Sequence, residues 1–207
     1  MLLTRILTTV KELEEYAELY RLKSGVSVSL SYLQSSHVRV FYRSFSPHTW
    51  IGGYVQNGKG DLRYFQAFSA ERKSELLAQI GVNAADILET GCTFIDRLAP
   101  TERHQIYIVM ILEAYFSHKP VLLGGAVIRK IQDYQMQTMP HLLFEESMVF
   151  GGKVVQMKQY YAFRNEFLAR SLRLLVQECK WVLKNVLQKK MKRYFGGQGT
   201  SAHPSVR

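Results

Sequence analysis

Residues 87–96 read Ile87-Leu88-Glu89-Thr90-Gly91-Cys92-Thr93-Phe94-Ile95-Asp96, and together with the residues up to Pro140 they decide the fold. The β-branched and aromatic content of this stretch predicts a strand, interrupted at Gly91 by a bulge. Pro100 and Thr101 then open a helix, with Ile106, Val109, Met110 and Leu112 at helical spacing, that runs to about His118 and is stopped by Pro120. Val121 to Ile128 (VLLGGAVI) is apolar without alternation, as in a strand buried on both faces. Its Gly124-Gly125 pair reads as close backbone packing, since no phosphate-loop spacing surrounds it. Arg129 to Met139 is a short helix ended by Pro140.

Outward toward the N-terminus, Leu2–Val10 reads as a strand and Lys11–Lys23 as a helix, with Gly25 as its C-cap. Val26–Leu33 is strand or loop. His37–Phe45 and Thr49–Gln56 are strands. Asn57-Gly58-Lys59-Gly60-Asp61 gives a hairpin signal into a third strand, Leu62–Phe68, and Ser69 caps a helix from Ala70 to Ile80. Toward the C-terminus, His141–Glu146 and Met148–Met157 are strand candidates with a bend at Gly151-Gly152. A long helix is expected from Gln159 to about Tyr194, with Leu168, Leu172, Leu175, Cys179, Val182 and Val186 forming an apolar seam against the domain or a partner.

The fold class expected is α+β in α/β/α layers. Its centre is a mixed, mostly antiparallel sheet flanked by helices, followed by a long basic C-terminal helix. Residues 1–157 form the domain, 158–195 the helix, and 196–207, beginning Gly196-Gly197-Gln198-Gly199, a disordered tail.

Charge is uneven. The chain of 207 residues has a formal charge of +10, yet residues 1–152 hold 15 basic and 15 acidic side chains. Residues 153–207 hold 12 basic side chains against Glu166 and Glu178, so the whole excess lies there. Lys180, Lys184, Lys189, Lys190, Lys192 and Arg193 form its densest part. Such a block suits an anionic partner, either an acidic protein or nucleic acid; a solvated helix face is the plainer alternative. Trp181, Leu183 and Leu187 among the lysines also suit a membrane surface. No apolar run reaches the length of a transmembrane helix, and two cysteines build no disulfide framework, so a cytoplasmic protein is expected. The six histidines show no metal-ligand spacing, and no metal is expected. Catalytic-serine, P-loop and dinucleotide fingerprints are all missing from the sequence.

The order of elements, and residues 87–139 above all, resembles the GNAT acyltransferase superfamily. ILETGCTFID is similar to the central strand of autoinducer synthases and related N-acyltransferases. The resemblance implies a GNAT-like N-acyltransferase moving an acyl group to an amine. Where acetyl-CoA enzymes of that family present a glycine loop, this chain has Asp96-Arg97-Leu98-Ala99-Pro100-Thr101-Glu102-Arg103, without glycine. The donor implied is therefore acyl-CoA or an acyl-phosphopantetheine on acyl carrier protein, whose acidity would suit the basic helix. The alternative is an inactive GNAT-like binding module that engages nucleic acid or a protein through that helix. A homodimer is a further expectation.

Amine acylation needs a base and donors for the oxyanion. The resemblance makes Glu89 the general base; a salt bridge or a solvated strand position is its structural alternative. Asp96 either fixes substrate or caps the next helix. Arg97 and Arg103 either hold a phosphopantetheine phosphate or are surface charge. Tyr160 and Tyr161 either protonate the leaving thiolate or pack in the core. Cys92 is a buried small hydrophobe or a nucleophile.

Overall fold

A computed structural model describes the backbone of residues 2–150 and 153–195. Within them it describes all side chains except those of residues 130, 148, 150, 153 and 186–195. The strands are β1 (Leu2–Ile6), β2 (His37–Arg43), β3 (Ser46–Asn57), β4 (Ile87–Ile95), β5 (Val121–Ala126), β6 (His141–Phe150) and β7 (Lys153–Phe163). They form one sheet in the order β1-β2-β3-β4-β5-β7-β6. Only β4 and β5 pair in parallel; every other neighbouring pair is antiparallel. The mixed, mostly antiparallel sheet expected from the sequence is present.

The helices are α1 (Val10–Ser24), α2 (Leu30–Gln34), α3 (Ala70–Ile80), α4 (Pro100–Phe116), α5 (Arg129–Thr138) and α6 (Arg164–Phe195). Their ends follow local chemistry. Thr9 and Glu12 make a reciprocal capping box on α1, and Gly25 closes it at φ 72°. Ser69 accepts from the Arg72 amide at the start of α3. Adjacent glycines on β3 display the layers. A Cβ on Gly53 would strike Tyr16 of α1, and one on Gly52 would strike Ile106 of α4. Thus α1 covers one face of the sheet and α4 the other. On the α1 face, Tyr16, Val40, Val55 and Phe94 build one core, while Leu76, Ile87, Leu123 and Met157 build another under α3. On the α4 face, Phe41, Tyr54 and Ile106 pack together.

Three expectations are corrected. Leu62–Phe68 is not a strand; it holds a short 3₁₀ turn, Arg63–Phe65, whose first two amides are taken by a distant carboxylate. Val26–Leu33 contains the start of α2, with Ser29 accepting from the Tyr32 amide. The long helix begins at Arg164, because Lys153–Phe163 is strand β7, paired on both sides.

The chain divides into two compact units, Met1–Ser171 and Leu172–Arg207. The described part of the second is the remainder of α6. In the seam expected along α6, Leu172 is 48% exposed and Cys179 is exposed, so the stripe is not buried as a whole. The side chain of Val186 lies outside the described residues, as do those of Lys189, Lys190, Lys192 and Arg193 and the tail 196–207. Among the described residues no helix is long and apolar enough to cross a membrane.

Candidate functional site

The parallel pair does not stay together. β4 and β5 are paired from Ile87 with Val121 to Thr90 with Gly124. Beyond that, the ladder of β4 continues only to β3, and that of β5 only to β7. The bulge expected at Gly91 marks the parting. The register with β3 slips between Gly53 and Val55, and Cys92 takes φ 48°, unusual for a side-chain-bearing residue. The Tyr16 hydroxyl donates to the Cys92 carbonyl at 2.7 Å and holds the bulge. From Gly91 and Gly125 onward, the facing backbone edges no longer serve each other. Such edges can hydrogen-bond an extended ligand.

On the α1 face the parting is spanned by Tyr64. Its hydroxyl donates to the Gly125 carbonyl at 2.9 Å, and a Cβ on Gly91 would lie 3.0 Å from that hydroxyl. Tyr64 is held by its own backbone: its amide donates to Glu89 Oε1 at 3.1 Å, and the Arg63 amide donates to Oε2 at 2.8 Å. The Tyr32 hydroxyl also donates to Oε2, at 2.7 Å. Glu89 is 0% exposed. Burial raises its pKa above the ordinary carboxylate value, against the lowering effect of these three donors and the nearby Arg63 charge. The Arg63 guanidinium donates to the Ser27 carbonyl at 2.7 Å and lies 3.3 Å from Cys92 Sγ. Burial pushes the Cys92 thiol up to about 12, which keeps it protonated and supports the small-hydrophobe reading.

On the opposite face, a Cβ on Gly124 would meet Gln135 and Met139 at 3.1 Å. Tyr107 of α4 stacks on Tyr134 of α5 with ring centroids 5.4 Å apart. Both helices begin just after the strands end, so their N-termini, which favour anions, lie at the parting end of the strands. The loop at α4 is furnished differently from a glycine cradle. Glu102 accepts from the Ala99 amide at 3.3 Å and pairs with Arg43 at 3.2 Å, placing a carboxylate where first-turn amides would meet a phosphate. Asp96 pairs with Lys23 of α1. Arg97 and Arg103 are exposed.

Tyr160 and Tyr161 are consecutive on β7 and therefore point to opposite faces. Tyr160 lies opposite Gly124 and is buried; Tyr161 packs against His141 at 5.0 Å and with the α3-side core. They cannot act as one pair. Two residues not singled out in the sequence belong at the parting: Tyr64, and Gln159 of β7, which is opposite Gly125. Lys180 and Lys184 are exposed on α6. A groove of about 860 Å³ lies where β4 begins, lined by Leu88, His37, Glu113 and Phe116, away from the parting at its other end. Among the described residues, no group of three or more His, Cys, Asp or Glu side chains is placed to hold a metal ion.

No protein-family model matches the chain, and no curated protein does. Solved structures do. FeeM, an N-acyl amino acid synthase from uncultured soil microbes, superposes with a TM-score of 0.61 at 14% identity, over 82% of this chain and 94% of that one. An N-acetyltransferase from Staphylococcus aureus Mu50 superposes at 0.52, also at 14% identity, over 80% of this chain and 99% of that one. At such identities the likeness concerns the fold, and the chain has the fold of the GNAT superfamily.

Proposed function

We propose that this GNAT-fold chain is an N-acyltransferase whose reaction takes place where β4 and β5 part. The observation that carries this is the separation after Thr90 and Gly124, beside the N-termini of α4 and α5. A thioester donor carries amide groups along an extended arm, and the released strand edges offer matching donors and acceptors. In the reaction the amine nitrogen attacks the thioester carbon and a C–N bond forms. The C–S bond breaks, sulfur leaves with the electron pair, and the proton lost by nitrogen is taken up by a base.

Glu89 is the proposed base. Its raised pKa suits the role, and it lies on the face spanned by Tyr64. Tyr160, opposite Gly124 where the strands part, is the tyrosine proposed to protonate the thiolate; Tyr161, opposite Leu123 within the paired stretch, packs in the α3-side core. Asp96, Arg97 and Arg103 flank the entrance at α4, and the exposed Arg97 and Arg103 are proposed to hold the donor phosphate. Glu102 at the helix start disfavours a bare pyrophosphate cradle. That points to acyl-phosphopantetheine on acyl carrier protein ahead of acyl-CoA, with Lys180, Lys184, Lys189, Lys190, Lys192 and Arg193 as the carrier's docking face. The named neighbour FeeM makes an amino acid the acceptor to try first.

The glycine-free loop also supports a second reading, a GNAT-fold module without catalysis that binds nucleic acid or a protein through the basic helix. One experiment separates them. Purified protein is incubated with acyl carrier protein or CoA charged with acyl chains of several lengths, together with a mixture of amino acids. Mass spectrometry then looks for N-acyl product and free thiol in equal amounts. The absence of both products leaves the binding module, and thiol release without amide shows hydrolysis and overturns transfer to an amine.

A further inference from the structure

Gln159 is 0% exposed, and among the described residues neither its amide nitrogen nor its amide oxygen has a hydrogen-bond partner. Buried carboxamides are almost always bonded, because burying the group unpaired forfeits its hydration without return. The position of this one is specific. Gln159 is directly opposite Gly125 across β5 and β7, and a Cβ on Gly125 would lie 2.4 Å from Gln159 Oε1 and 3.3 Å from the Tyr64 ring. The carboxamide therefore lies across the bare backbone of Gly125, at the first residue of β5 beyond its pairing with β4. Gly125 itself is only half-buried, so the unpaired amide adjoins a point that a ligand can reach. Nearby, Gln135 Oε1 is also buried without a partner among the described residues, while its Nε2 lies 3.4 Å from the Gly125 carbonyl.

A carboxamide offers one acceptor and a paired donor side by side, which complements a carbonyl oxygen and an N–H presented on one side, as in the assembly formed when an amine attacks a thioester carbon. We propose that Gln159 binds the reacting centre, its Nε2–H donating to the acyl carbonyl oxygen and its Oε1 accepting from the N–H of the incoming amine. This rests on the acyl-transfer reading. It assigns the chemistry of one contact: the ligand group is a secondary amide in the product and a thioester carbonyl plus an amine before it. Gln159 exchanges no proton. It stabilises the charge that gathers on the carbonyl oxygen as nitrogen attacks, and it releases the neutral amide when sulfur leaves. The contact is differential because the bond to the carbonyl oxygen strengthens as charge gathers there, between bound substrate and transition state.

The test is Gln159→Met, nearly the same shape without the polar atoms, with Gln159→Glu, which replaces the paired NH₂ donor by a carboxyl group. In the ligand-free protein, Gln159→Met is expected to melt at or above the wild-type temperature, because no hydrogen bond is lost. Its kcat for acyl transfer should fall about 10²-fold, as for loss of an oxyanion donor, and Gln159→Glu should fall comparably. An N-acyl amino acid such as N-octanoylglycine should raise the melting temperature of wild type more than that of Gln159→Met. A ligand-free Gln159→Met that melts well below wild type shows the amide bonded within the fold and overturns the proposal. So does unchanged transfer by an active wild type. Wild type and variant equally inert with every donor would overturn the acyl-transfer reading itself, a result distinct from either.

Discussion

The Tyr32 hydroxyl donates to Glu89 across 57 residues of sequence, and it is one of three donors that converge on that carboxylate. Glu89 thereby fastens the Arg63–Phe65 turn and sets Tyr64 over the parting of β4 and β5. Glu89→Gln replaces one acceptor oxygen by an NH₂ group facing a donor. It should cost about 1–3 kcal/mol of stability by leaving a buried N–H or O–H unpaired. Chemical denaturation measures this, and a variant as stable as wild type would show that the three donors are not holding the turn. Loss of turnover in this variant alone does not identify a base. The distinguishing measurement is the pH profile of kcat/KM, whose acidic limb should disappear in Glu89→Gln if Glu89 takes the proton.

Along α6, burial at the start of the helix belongs to a face one residue away from the one expected. Phe167 is 5% exposed, whereas Leu172 is 48% exposed. Phe167→Ala should therefore cost about 3–5 kcal/mol, and Leu172→Ala less than about 1 kcal/mol. Thermal melts of the two variants side by side decide it. Equal and large losses would mean that Leu172 is covered in solution by a second copy, which sedimentation would then show.

The stretch from Ile87 to Thr138 is legible because its elements announce themselves locally. Pro100 and Pro120 bracket α4, an unbroken apolar run marks β5, and Gly91 marks the bulge. The misread segments depend on partners far away. Arg63 and Tyr64 carry strand-forming neighbours, yet their amides are claimed by Glu89, 26 and 25 residues further on. Met157–Phe163 has nothing to mark its end as a strand; the Arg164 amide turns the chain by donating to the Pro120 carbonyl at 2.9 Å. Gly124-Gly125 reads as close packing, and the glutamine across Gly125 is the reason. Gln159 itself carries no local signal, since a glutamine between Lys158 and Tyr160 looks like any exposed strand residue. Only its register opposite Gly125 makes it a candidate.

Glu113 provides a pH-dependent contribution outside the proposed site. Burial tends to raise its pKa, but hydrogen bonds from His37, Arg39 and Tyr54 outweigh that and hold it at about 2, against an ordinary value of 4.5. A carboxyl depressed in the folded state stabilises it fully above the unfolded pKa, and the stabilisation is lost as pH falls from about 4.5 toward about 2. The contribution amounts to at most about 3 kcal/mol. Urea unfolding of wild type should lose stability across that interval. Glu113→Gln should be weaker at neutral pH and flatter below about pH 4.5. Parallel curves for the two proteins would exclude Glu113 as the source of the pH dependence.

The basic end of α6 is expected to act through long-range attraction and not through stability. Residues 1–152 are neutral, and all ten net charges lie beyond them. Lys180 and Lys184 are exposed, beside the exposed Trp181 and Leu183. Isolated surface lysines contribute little to folding, so replacing Lys184, Lys189, Lys190, Lys192 and Arg193 together by Gln should leave the melting temperature within a few degrees. Fields from such a cluster reach about a Debye length, roughly 8 Å at physiological salt, and steer an acidic partner into contact. Surface plasmon resonance with acyl carrier protein should show a slower association rate for the five-fold variant. The dissociation rate should be nearly unchanged, and the difference should shrink as salt is raised. Duplex DNA, RNA and anionic vesicles serve as competitors. Tighter binding to a nucleic acid than to the carrier would favour the non-catalytic module, and tighter binding to vesicles would place the helix on a membrane surface. If wild type and variant bind all of these equally, the lysines are a solubilising face, and the donor must be recognised at the strand parting alone.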